Sequence, residues 1–120
     1  MIDSGTSAIF SRPNRKCSAK LVKIDLNASR PKLEIVHTFP EMVISKNSVI
    51  MHMVIDMPDF HFSDIVLGRL VKFNILQNKS IVIESDEQMR PVSSALDLEG
   101  HAFHLHFGVV GLAMPYPVNY

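Results

Sequence analysis

At 120 residues the chain is long enough to bury one hydrophobic core and has the length of a single domain. Its hydrophobic share of 47% and charged share of 20% exclude an unfolded, highly charged polymer. The formal net charge of zero gives no partner through bulk electrostatics.

The charge is nonetheless uneven. Residues 1–32 carry seven Lys or Arg (Arg12, Arg15, Lys16, Lys20, Lys23, Arg30 and Lys32) against Asp3 and Asp25, while the remainder is acidic. Such a basic start suits a solvated arm, or contact with phosphates or an acidic partner. The single cysteine, Cys17, rules out a disulfide within the chain. Met1 to Phe10 show neither a basic nor an apolar region, so no signal peptide is read there. No apolar run reaches the roughly 20 residues of a membrane helix.

Residues 1–17 read as irregular, with Gly5 and Pro13. A first strand is expected over Lys20–Leu26 and a second over Lys32–Thr38, joined by a turn-rich Asn27–Pro31 and pairing as a hairpin. Met42 to Ile44 suit either a short strand piece or a loop packed on the core. The third strand, within Asn47–Met57, is the most distinctive. Period-2 alternation places Val49, Met51, Met53, Ile55 and Met57 on one face, and Ile50, His52, Val54 and Asp56 on the other. Pro58-Asp59 ends this strand, and Ser63–Leu67 is expected to form one helical turn. A fourth strand over Leu70–Leu76 and a fifth over Ser80–Glu84 flank a Gln77–Lys79 turn. A short helix is expected around Ser93–Leu98, then a sixth strand over His101–Val110. Five short strands with short links suggest a small antiparallel barrel.

Three thioethers on one strand face suit core filler, or a soft-metal site that selects Cu(I). From about Leu21 to Glu84 the chain resembles the CusF family of periplasmic Cu(I)/Ag(I)-binding proteins. The resemblance lies in Leu-Val-Lys-Ile-Asp, Lys-Leu-Glu-Ile-Val-His, Asn-Ser-Val-Ile-Met-His-Met, Ile-Val-Leu-Gly-Arg-Leu-Val-Lys-Phe and Ser-Ile-Val-Ile-Glu. It implies an all-β, five-stranded OB-type barrel, with a C-terminal extension that adds a strand. By position it implies metal ligation by His37, Met51 and Met53. The family's Trp falls on Ser48, and the chain has no Trp, so the cation–π cover of the metal is absent.

The expectations that follow are concrete. Residues 1–17 form a basic arm, 18–85 the barrel and 86–120 the extension. The chain is a non-enzymatic module binding Cu(I) or Ag(I) for transfer or sequestration, with a heavy-metal efflux component as partner and a periplasmic location by resemblance alone. The competing reading is a metal-free barrel for protein contacts, oligomeric through its C-terminal strand. Secondary candidates are His104 and His106 beside His101, a weak pair for Zn or Cu(II), and Met57 as an outer thioether. His52 faces away from the Met pair, His61 reads as a loop residue, and Cys17 beside Lys16 is a lone thiol. No phosphate loop, nucleophile elbow or paired carboxylates are visible, and strands three to five hold few basic residues for nucleic acid.

Overall fold

The structure is a computed structural model that describes residues 1–7, 14–84, 89–108 and 111–113; within the last two strands, the side chains of residues 93–96, 98 and 103–107 are not described. Every strand pair is antiparallel, and no helix occurs among the described residues. The chain divides into two compact units, Met1–Val49 and Ile50–Tyr120.

The first unit is built on β1 (Ile2–Asp3), β2 (Thr6–Ser7), β3 (Asn14–Arg15), β4 (Lys20–Asp25) and β5 (Lys32–Thr38). The expected hairpin forms: β4 and β5 pair from Lys20↔Thr38 to Asp25↔Lys32, and β1 extends the sheet in the order β1-β4-β5. A bulge between Leu21 and Val22 shifts the register. Two short strands, β2 and β3, pair separately where irregular chain was expected. Ala19, Leu21, Val22, Phe39, Val43, Ile44 and Val49 are buried. Val43 and Ile44 therefore belong to a loop packed on the core, tightened by two backbone bonds to the Pro40 carbonyl, while Met42 points out at 83% exposure.

The second unit holds a four-stranded meander of β6 (Ile50–Asp56), β7 (Asp59–Asp64), β8 (Arg69–Asn74) and β9 (Lys79–Ile83), in chain order. Directly opposed residues share a face. One face carries Met53, Phe62, Val71 and Val82 in one row and Ile55, Phe60, Phe73 and Ser80 in the next. Phe62, Val71 and Phe73 are its fully buried centre. At about 2–3 kcal/mol for each large apolar side chain removed from water, these three supply much of the drive for the sheet. The helical turn expected over Ser63–Leu67 forms in part: Ser63 and Asp64 end β7, and the chain then makes one turn in which the Gly68 amide donates to the Asp64 carbonyl at 3.0 Å and the Leu67 amide to Asp64 Oδ1 at 3.2 Å. Asp-Phe-His-Phe-Ser-Asp alternates with the strand period, and Met57-Pro58 is the tight connection into it rather than the end of the sheet.

The helix expected near Ser93–Leu98 is also replaced by a strand. Here β10 (Val92–Leu98) and β11 (His101–Phe107) pair in unbroken register around Glu99-Gly100. Both turn residues have positive φ, 53° and 80°, as a two-residue hairpin loop requires. The last residues of the sixth expected strand, Val109 and Val110, lie outside the described residues.

No closed barrel forms among the described residues. The first two expected strands lie in one sheet, and the third, fourth and fifth lie in another. The strand missing from the sequence reading is β7, which inserts between the third and fourth expected strands.

Candidate functional site

His37 lies on β5, opposite Leu21, half-buried. Its ring stands edge-on to Phe39, with centroids 4.9 Å apart at 89°. Met51 occupies the bulge of β6, where the register slips between Ile50 and His52, and is 41% exposed. Met53 lies opposite Phe62 on the apolar face, half-buried. The bulge breaks the alternation that would have aimed the two thioethers alike. His37 and the Met pair stand on strands of different sheets, which do not pair among the described residues. No group of three or more His, Cys, Asp or Glu that could hold a metal occurs among the described residues.

The other candidates are dispersed. His52 Nδ1 accepts from the Leu112 amide at 2.8 Å. Met57 is 65% exposed, and His101 is exposed; the side chains of His104 and His106 lie outside the described residues. Cys17 is an exposed free thiol whose sulfur accepts from Lys20 Nζ at 3.2 Å.

Two polar constellations are built into the four-stranded sheet instead. On the face opposite the phenylalanines, Asp59 sits across from Asn74, and His61 across from Lys72. Lys72 Nζ pairs with Asp59 Oδ2 at 2.9 Å, and the Asn74 amide donates to Asp59 Oδ1 at 2.7 Å. The Lys72 ammonium, helped by Asn74 and by His61, holds the Asp59 carboxyl below its ordinary range against the opposing effect of desolvation. Asn74 is itself oriented, because its Oδ1 accepts from the Gln77 amide at 2.9 Å. Beside this cluster a depression of about 200 Å³ is lined by Lys72, Asn74, Gln77, Lys79 and Ile81. His61 is thus a strand residue on a charged face, not a loop residue.

The second constellation closes the far end of the apolar face. Asp64 is fully buried and faces Arg69 across the β7–β8 ladder. Arg69 Nε donates to Asp64 Oδ2 at 3.2 Å, and the Leu67 amide donates to Oδ1 at 3.2 Å. The Gly68 amide donates to the Asp64 carbonyl at 3.0 Å, so one aspartate organises the whole turn from β7 to β8. Neither constellation was singled out from the sequence. Period-2 spacing of Asp59, His61 and Ser63 was the signal available for the first, once Asp59–Asp64 is read as a strand.

The family model for major royal jelly proteins matches residues 1–119. The chain belongs to the major royal jelly protein family. No curated protein and no solved structure matched the chain.

Membership of the royal jelly family overturns the resemblance to CusF. The short strand motifs shared with that family are apolar strand residues and turns that any antiparallel sheet needs, whereas the royal jelly match runs through nearly the entire chain. Copper or silver binding and metallochaperone activity rested on that resemblance and go with it. The metal-free barrel for protein contacts goes too, since it presumed the same ancestry and the same closed barrel. No helix long and apolar enough to cross a membrane is present among the described residues of this royal jelly family chain.

Proposed function

We propose that this chain is a non-enzymatic sheet unit of a royal jelly-type protein, working inside a larger β assembly. The observation that carries this reading is the contrast between its sheets. The β6–β9 meander is a self-sufficient four-stranded sheet, the shape of one blade in blade-type β architectures. The β10–β11 hairpin has seven residues on each side but no third strand among the described residues. A two-stranded hairpin is marginal in water, and three or more strands or a packed face are needed for independent stability. The hairpin is tied to the meander where the Gly108 amide donates to the Ile65 carbonyl, and strands from further polypeptide would extend its two-stranded sheet. A second copy of the chain, joined through His101–Phe107, is one source.

The polar face of the meander favours a supporting role over catalysis. An aspartate held charged by an ammonium and an amide is a weak base at neutral pH. Asp59 and Lys72 are better suited to fixing the sheet and to presenting a polar surface.

The test is sedimentation velocity from low to high micromolar concentration, together with amide exchange at β10–β11. Concentration-dependent association, or hairpin amides that exchange freely in the monomer, supports the reading. A strict monomer whose hairpin amides are as protected as those of β7 and β8 overturns it, because the hairpin would then need no further strands.

A further inference from the structure

We propose that Arg15 anchors an oxyanion-binding site on the first unit, taking a carboxylate or phosphate group that the described residues do not supply. Arg15 lies on β3 opposite Thr6. One guanidinium nitrogen, Nη2, donates to the Ser45 carbonyl. The other two, Nε and Nη1, are buried and have no hydrogen-bond partner among the described residues.

A guanidinium carries five N–H donors in a plane, no acceptor, and a charge it does not lose at any physiological pH. A lysine buried in this way can shed its proton. An arginine cannot, so its sealed donors need an acceptor and its charge needs an anion. The surroundings withhold both. Residues 1–49 hold eight Lys or Arg against four Asp or Glu. The ion pairs among the described residues all lie between residues 59 and 84, in the other unit. The Lys20 ammonium is directed at the Cys17 sulfur.

The chemistry that fits a partly engaged guanidinium is a carboxylate or a phosphate oxygen, which accepts a charge-assisted N–H bond. Occupancy would also steady the turn after the core loop. The Ser45 carbonyl that receives Arg15 receives the Ser48 amide as well, at 3.0 Å, and Ser48 is buried at 1% exposure. The surplus of positive charge at the start of the sequence thereby acquires a use: it favours an anion at a cation whose Nε and Nη1 are shut away from water.

The experiment is a titration of the whole chain with sodium phosphate and, separately, sodium acetate, against sodium chloride at equal ionic strength. Thermal unfolding and the Nε–Hε resonances of 15N-labelled arginine are followed in the wild type, Arg15→Lys, Arg15→Met and the exposed control Lys32→Met. An oxyanion site gives a rise in Tm of about 4 °C or more in wild type and Lys32→Met at saturating anion. It also gives a saturable shift of the Arg15 Nε–Hε signal, about tenfold weaker binding in Arg15→Lys, and no rise in Arg15→Met. Response to phosphate alone or acetate alone assigns the geometry of the anion. An equal rise in Arg15→Met, or an Arg15 signal that neither anion moves, overturns the proposal. Should Arg15→Met fail to fold, the wild-type resonance decides by itself.

Discussion

Two aspartates on one strand do opposite work. Asp64 is fully buried and meets Arg69, whose side chain is only 11% exposed, so neither charge has water to fall back on. Removing Asp64 takes away the nearer carboxylate of Arg69 and leaves Glu84 at 3.9 Å. Asp64→Ala is expected to cost about 3–5 kcal/mol of stability, read from urea unfolding at neutral pH. Asp59 is only part-buried, and its effect is on pH dependence. Its carboxyl titrates lower in the folded chain than in the unfolded one because Lys72 and Asn74 stabilise the charged form. The unfolded chain therefore binds the proton first as pH falls, near the ordinary aspartate value of about 3.9. Asp59 contributes its full stabilisation above that pH and loses it as pH drops through the lowered folded value. Asp59→Asn is expected to flatten the fall of Tm below about pH 4 and to leave the slope between pH 5 and 7 unchanged. An equal fall in both proteins would show that Lys72 does not hold Asp59 in solution.

At the scale of elements, β7 and the turn that follows it are the parts on which the meander depends. Phe62 is fully buried at the centre of the apolar face, opposite Met53 on one side and Val71 on the other. Phe62→Ala is expected to cost about 3–5 kcal/mol, measured by chemical denaturation. The edge thioether Met51, on the bulge of β6, is 41% exposed; Met51→Ile is expected to stay within about 0.5 kcal/mol of wild type in the same assay. Gly68 makes the turn from β7 to β8 with φ of 61°. A side chain there would also meet the Met89 carbonyl and the Pro91 ring. Gly68→Ala is therefore expected to destabilise by about 1–3 kcal/mol, and Gly100→Ala by less, since nothing lies within 4 Å of its added carbon.

Across the whole molecule, sheets of different completeness share one chain. The meander satisfies its own ladder, while β2–β3 and β10–β11 each stop at two strands among the described residues. Where folding is completed by association, mass action makes stability depend on protein concentration. The Tm of the chain is thus expected to rise with concentration over the micromolar range, as followed by circular dichroism. A Tm that is constant across that range would argue that the hairpin is stable without partners.

Strand periodicity by itself determined much of the fold. Alternating Val, Ile and Leu located β4, β5, β6, β8, β9 and β11, and Asn27–Pro31 located the turn of the first hairpin, because these patterns depend only on local side-chain direction and turn chemistry. Polar spacing concealed two strands. Asp59–Asp64 and Val92–Leu98 mix polar and apolar residues, so their strand character shows only when cross-strand partners are known, while Asp64 does cap the turn that follows. The metal-binding function was overturned by the family match over residues 1–119, which no local pattern could have supplied. A shared-face argument for Met51 and Met53 assumes a regular strand, and the bulge between Ile50 and His52 removes that assumption. Which sheet each strand joins, that Asp59 meets Lys72 across β7 and β8, and that two donors of Arg15 are closed off from water are matters of long-range pairing. They were decided only by the tertiary structure, since burial and strand partnership are set by residues far apart in the chain.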